Sequence, residues 1–156
     1  MAKTPPLDHS VCRNRKATHR FEILDQMECG IVLRGTEVKS VRERAVSLDE
    51  AYARIEDNEV WLLGCHIAPY SHGQGQNHDP LRRRKLLLHV QQIRKLRPQV
   101  EQKGLTLVPL KLYFSERGIA KVTLAIARGR RAADKRQAMK AREHAREIAR
   151  ASSRRR

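Results

Sequence analysis

The chain predicts an α+β fold, mostly β: five or six strands arranged in hairpins, two or three interposed helices, and a basic C-terminal tail. Three observations carry that reading. Apolar and polar residues alternate over short runs that come in pairs, as at 108–114 and 122–126. Helix-period stretches with recognisable start and stop residues lie between the pairs. Finally, residues 128–156 hold 12 Lys/Arg against three acids, and Met139 and Ile148 are their strongest apolar side chains. That is a thread where a folded helix needs a broad apolar stripe. The tail is expected to stay loose, disordered when free, until a polyanion neutralises it and lets it become helical.

Residues 1–13 contain Pro5 and Pro6 and no periodicity, and are read as a flexible N-terminus. A strand follows at 20–28, with Phe21 and Ile23 on one face and Arg20 and Glu22 on the other. Gly30 punctuates it, and Ile31, Val32 and Leu33 form a short apolar run up to Gly35. A helix is predicted over TEVKSVRERA at 36–45, with the Thr36 hydroxyl as its cap. Residues 48–67 read as a hairpin: Ala51, Ala53 and Ile55 share a face, Asp57 and Asn58 make the turn, and Trp61, Leu63, Cys65 and Ile67 share the return face. A polar glycine-containing loop, SHGQGQNHD, precedes Asp79-Pro80, read as the start of a helix carrying Leu81, Leu86, Leu88, Val90 and Ile93. Pro98 divides that helix and Gly104 ends it. In the second hairpin, Val108, Leu110, Leu112 and Phe114 share one face and Lys111 and Tyr113 the other. Val122, Leu124 and Ile126 then alternate with Lys121 and Thr123, and Pro109 marks an edge or a bulge. Strand count alone does not separate an open sheet from a closed barrel. The body is assigned to 14–131 and the tail to 132–156.

The net charge of +16 in 156 residues is shared: residues 128–156 contribute +9 and the rest +7. Anionic membrane, heparin and nucleic acid all suit such a charge. Membrane is disfavoured, because the tail lacks the Trp, Phe and Leu that enter a headgroup region and no apolar run approaches a bilayer span. With no signal-peptide core and three widely spaced cysteines, Cys12, Cys29 and Cys65, a cytoplasmic, reduced protein is expected. A zinc site from Cys65, His66, His72, His78 and Asp79 lacks paired ligand spacing, so no metal or cofactor is expected. No nucleophile elbow, P-loop or dinucleotide fingerprint occurs, and the chain is read as non-enzymatic and monomeric.

The basic clusters carry the functional signal. Asn14, Arg15, Lys16, His19 and Arg20 precede the first strand. Arg82, Arg83, Arg84 and Lys85 fall in one turn of the helix expected at Asp79, and so point different ways. Arg128, Arg130 and Arg131 flank Gly129. Singly, each is a solvated surface; together, on a chain this basic, they favour a nucleic-acid partner. Aromatic residues are too few to make a stacking platform for single strands, so recognition of folded RNA by charge and shape fits better. Glu28 and Glu37 sit among these cations, either balancing charge or accepting from a base or ribose.

Those residues belong to a longer co-linear string. Asn14-Arg15-Lys16, Glu28-x-Gly30, GTEVKS (35–40), AYARI (51–55), CHIAPY (65–70), NHDP (77–80), RKLLLH (84–89), KGLTLVPLKLYF (103–114), ARG (127–129) and DKR (134–136) follow one another in order. The string resembles the SsrA-binding protein family, also called small protein B, over about 14–136. The resemblance implies an oligonucleotide-binding-type β-barrel with flanking helices. It also implies a partner, the tRNA-like domain of transfer-messenger RNA, and a task, trans-translation on stalled ribosomes. The tail would enter the empty messenger channel of the small subunit, by the decoding region, and become helical there. Carried over by position, the RNA-binding residues are Asn14, Glu28, Gly30, Leu87, Arg128, Gly129, Arg130 and Arg131. Arg15, Lys16, Lys39, Arg82, Arg84 and Lys85 are added from charge alone. Asp134, Lys135 and Arg136 match the motif that acts on the ribosome, and Lys140, Arg142 and Arg146 extend it along the tail. Where the family often has His or Tyr before that motif, this chain has Ala133. A ribosome-assembly or structural ribosomal protein is the alternative.

Overall fold

The computed structural model describes residues 10–130 and 132–153, with residues 132–135 described by backbone alone. Nine strands and four helices follow one another among these residues. They are β1 (Ser10–Arg13), α1 (Ala17–Arg20), β2 (Phe21–Ile31), α2 (Gly35–Arg42), β3 (Val46–Ser47), β4 (Tyr52–Glu56) and β5 (Glu59–Leu63). After them come β6 (His66–Ile67), β7 (Arg84–Leu87), α3 (Val90–Glu101), β8 (Thr106–Phe114), β9 (Ala120–Gly129) and α4 (Ala132–Ser153). The large antiparallel sheet runs β1-β8-β4-β5-β7-β2-β9, and β8 also pairs with β9. The pairings from β8 through β4, β5, β7, β2 and β9 therefore return to β8, which leaves six strands without a free edge among themselves. β3 and β6 form a separate two-stranded piece.

Strand alternation places Cys29 and Ile31 of β2, Val60 and Leu62 of β5, Leu86 of β7, Leu107 and Leu112 of β8, and Val122, Leu124 and Ile126 of β9 in one core. Val41 of α2 and Ile93 and Leu96 of α3 cover it. Burying side chains of this size contributes roughly 1.5–3 kcal/mol each before entropy is charged against it. A smaller cluster of Ala17, Val108 and Ala127, with Phe21, Ile23 and Leu110 against it, seats α1 on the opposite side of β8 and β9.

Several expectations are corrected. Ser10–Arg13, read as part of a flexible terminus, pairs with β8, and Val11 and Cys12 pack on the core. Trp61 and Leu63 do not share the buried face with Cys65 and Ile67; Val60 and Leu62 do. The run from Val60 to Leu63 is apolar throughout and gives no parity, and Gly64, at φ +70°, resets it before Cys65. A Cβ at Gly64 would strike the Glu50 carbonyl. In β8 the four residues assigned one face divide: Leu112 and Phe114 enter the main core, Val108 and Leu110 the smaller one. The cause is a bulge between Pro109 and Lys111, the irregularity that proline marks.

The largest correction concerns 79–89. Asp79 does cap, but only a turn, its Oδ1 accepting from the Leu81 N–H at 2.9 Å. Arg84–Leu87 is a strand between β5 and β2. The helix begins at Val90, where Gln92 accepts from the His89 N–H at 3.0 Å, and it runs on through Pro98. Thr36 does not cap α2. Glu37 reaches back to the Arg34 N–H at 2.7 Å, while the Thr36 hydroxyl meets His78 Nδ1 at 2.9 Å.

Residues 132–153, in the segment expected to be loose until it meets a polyanion, form one helix directly after β9. Alanines and long straight side chains have high intrinsic helix propensity, which explains a helix without a buried stripe. Its described residues are exposed save Ala138, and Arg142 donates to the Thr18 hydroxyl at 3.0 Å.

Candidate nucleic-acid interface

On the outward face of the closed circuit, Leu87 of β7 lies opposite Gly30 of β2, and Gly30 opposite Lys121 of β9. Lys121 in turn faces Tyr113 of β8. The inward neighbours Leu86, Ile31, Val122 and Leu112 are buried, so this row points to solvent. A Cβ at Gly30 would approach the Leu87 side chain to 3.3 Å. Glycine thus lets Leu87 lie across the strand, where it stays 52% exposed. Two residues on, Glu28 accepts from Lys121 Nζ at 2.9 Å. That hydrogen bond, with one from Tyr113, holds the Glu28 carboxyl below its ordinary value. Burial and the same contact push the Tyr113 hydroxyl up to about 12. Leu87, distant in the chain, is therefore brought beside Glu28 and Gly30. Lys121 and Tyr113 join them; the alternation of 111–114 and 121–126 placed both on the outward face, but nothing local marked them as neighbours of Glu28.

Arg128 and Gly129 lie at the other end of the same ladder, opposite Glu22 and Phe21. Nine residue steps along β2 lead from Phe21 to Gly30, about 30 Å at strand rise. The predicted residues thus fall at two ends of one ladder, and alternation along β9 gives Arg128 the face of Ile126 and not that of Lys121. Arg128 is exposed, with Glu22 at 3.8 Å. Gly129 has open space where a side chain would stand. The Arg130 N–H bonds the Arg20 carbonyl at 3.0 Å, and its buried Nε has no hydrogen-bond partner among the described residues. Arg131 and the side chains of Asp134 and Lys135 lie outside the described residues; Arg136, Lys140, Arg142 and Arg146 are exposed on α4.

Other predicted ligands serve the fold. Asn14 is buried; its amide donates to the Pro109 carbonyl at 3.0 Å and accepts from the Ala17 N–H at 3.1 Å, starting α1. Arg84, added on charge, is wholly buried. It donates to Glu37 Oε1 at 2.8 Å and to the Cys65 carbonyl at 2.6 Å, and also bonds the Asp79 and Pro80 carbonyls. Arg82 holds the same Glu37 at 2.7 and 3.1 Å. Burial pushes the Glu37 carboxyl up, but hydrogen bonds from Arg82 and the Arg34 N–H, with the Arg84 charge, outweigh it and bring it down to about 2. Glu37 therefore balances charge and is no base acceptor. Lys85 sits on Glu59 at 2.7 Å, Lys16 within 3.4 Å of Asp49, and the exposed Lys39 over the Tyr70 ring. Arg15 is exposed.

The histidines and cysteines scatter. His78 is buried, bonding Thr36 and the Ile67 carbonyl. His72 meets Ser71, and His66 is exposed. Burial pushes the Cys29 and Cys65 thiols to about 12, so both remain protonated packing groups. No helix among the described residues is long and apolar enough to cross a membrane.

The family profile described as "SmpB protein" matches residues 11–154. The chain belongs to that family. An SsrA-binding protein of Chelativorans sp. (strain BNC1) is 52% identical over 141 residues, spanning 90% of this chain and 91% of the relative. Another, of Thermosynechococcus vestitus, is 55% identical over 143 residues, 91% and 93% of the two chains. A solved structure described as "tmRNA-SmpB: a journey to the center of the bacterial ribosome" superposes at a TM-score of 0.66 with 53% identity. It covers 81% of this chain and 92% of its own. The mixed fold with its large antiparallel sheet is thus that of SmpB.

Proposed function

We propose that this SmpB-family chain binds the tRNA-like domain of transfer-messenger RNA and delivers it to stalled ribosomes for trans-translation in the cytoplasm, without catalysing a covalent step. The observation that carries the proposal is family membership across 11–154, with relatives named for binding SsrA along nine-tenths of both chains. The geometry supports it. Leu87, Gly30, Glu28 and Lys121 form one outward patch, and Arg128, Gly129 and Arg130 form a second at the far end of the β2–β9 ladder. Cations at both ends of a ladder about 30 Å long suit a folded RNA read by backbone and shape. The return of the strand circuit to β8 supports a small barrel of the oligonucleotide-binding type.

The C-terminal segment acts on the ribosome. Its exposed cations on α4, Arg136, Lys140, Arg142 and Arg146, are proposed to line the messenger channel once the arm enters it, with Asp134 and Lys135 leading. The test is competition between a folded tRNA-like fragment of transfer-messenger RNA and ordinary tRNA, together with peptide tagging on ribosomes stalled without a stop codon. Preference for the fragment and tagging by the full chain are expected; equal affinity for both RNAs defeats the assignment.

A further inference from the structure

Beside the Glu28 patch, where Glu28 faces Thr123 across the β2–β9 ladder, one groove collects several cations. The pairing of β1, β8 and β9 puts Arg13 opposite Lys111 and Lys111 opposite Thr123. Neighbouring strands lie about 4.8 Å apart, so the row spans roughly the reach of one nucleotide's phosphate and sugar. Gln26 of β2, with Arg15 and Thr18 at the approach to and within α1, completes a groove of about 350 Å³. None of the described residues lining it is acidic.

Several cations elsewhere on the body have carboxylate neighbours: Arg82 and Arg84 on Glu37, Arg83 on Glu56, Lys85 on Glu59, Lys121 on Glu28. Lys111 instead extends over the Tyr113 ring at 5.2 Å, and neither it nor the exposed Arg15 makes an ion pair among the described residues. Lys111 and Thr123 stand on hydrogen-bonded strands, so the groove's floor is preorganised. At its rim, Arg142 of α4 donates to the Thr18 hydroxyl at 3.0 Å, bringing a further cation to the edge.

We infer that this groove holds a backbone phosphate of folded RNA, with Lys111 and Arg15 supplying charge and Gln26, Thr18 and Thr123 supplying hydrogen bonds. The inference rests on the RNA-binding reading above and adds a contact that joins its two patches. A phosphate contact positions RNA without reading its sequence, so its loss weakens every RNA alike.

The test compares Arg15→Gln/Lys111→Gln with Arg94→Gln/Lys103→Gln, which removes equal charge from exposed positions on and after α3. Binding of the tRNA-like fragment and of ordinary tRNA is measured across salt concentrations, with unchanged urea midpoints as the check on folding. The groove variant is expected to flatten the plot of log affinity against log salt by about 2, one per cation, and to weaken both RNAs equally. The α3 variant keeps the wild-type slope, and Arg15→Gln/Lys111→Arg loses half as much as the groove variant. In parallel, inorganic phosphate should shift the backbone amides of Gln26, Lys111 and Thr123. A groove variant that keeps the wild-type slope while the protein still binds the fragment overturns the groove and spares the RNA reading. Phosphate shifts without a slope change also overturn it, marking a free-anion site. A wild-type protein that binds neither RNA removes both proposals.

Discussion

The arginines at 82–84 and those of α4 look alike on paper, and their circumstances are opposite. Each of the first three has a carboxylate partner: Glu37 takes Arg82 and Arg84, and Glu56 takes Arg83 at 2.8 Å. Arg83 also lies 4.2 Å over the Trp61 ring. On α4 the described arginines are exposed, and Arg142 bonds a hydroxyl. The difference is instructive. A basic run beside a strand entering the sheet must have its charge neutralised locally, because burying an unpaired guanidinium costs several kcal/mol. A basic run beyond the last strand bears no such cost and keeps its charge for a partner.

The comparison sharpens most if the two regions are removed one at a time. Deleting 134–156 is expected to abolish peptide tagging on stalled ribosomes, while the urea midpoint and much of the RNA-fragment affinity stay as in the full chain. Tagging by the truncated protein breaks the division between body and arm. Next in size, Glu37→Gln leaves Arg84 buried with half its partner gone and should cost about 3–5 kcal/mol in urea unfolding. A cost below 1 kcal/mol would mean the cluster is not the anchor described.

Acid titration reaches the same cluster without mutation. The folded Glu37 carboxyl lies at about 2, below its ordinary 4.5. A depressed carboxylate gives stability present above the unfolded value and lost as pH falls through the folded one. The body should therefore weaken progressively from about pH 4.5 toward 2, and Glu37→Gln should flatten that part of the curve. Smaller still, Arg128→Ala/Arg130→Ala should weaken fragment binding and lower the salt slope by about 2, with no preference between RNAs. The least effect is expected from Arg146→Ala, whose exposed side chain should change stability by less than about 0.5 kcal/mol.

Much of the body was legible because its periodicity is local. Val122, Leu124 and Ile126 face the core as their alternation requires, and Asp57-Asn58 takes the turn between β4 and β5 with both residues at positive φ. Legibility failed where a local signal competed with pairing at a distance. Asp79-Pro80 is a helix start on any window of ten residues, yet β5 and β2 leave a slot that only a strand at 84–87 fills. That one substitution of strand for helix turned Arg84 from a surface cation into the largest fully buried side chain. Likewise the bulge after Pro109 was foreseen as a kind of irregularity, but not its result, the division of β8 between two cores.

Amino-acid order alone determined the excess of positive charge, the strand and turn inventory over most of the body, and the family. Those properties are additive or local, or are carried by motifs short enough to survive without coordinates. Which cations remain available was decided by tertiary structure. Asn14 and Arg84 carry the same side chains whether they meet RNA or the interior, and only the meeting of Glu37, Pro109 and the neighbouring carbonyls directs them inward. The patch of Leu87, Gly30, Lys121 and Glu28 arises for the same reason, since antiparallel register sets side by side residues that the chain keeps dozens of positions apart.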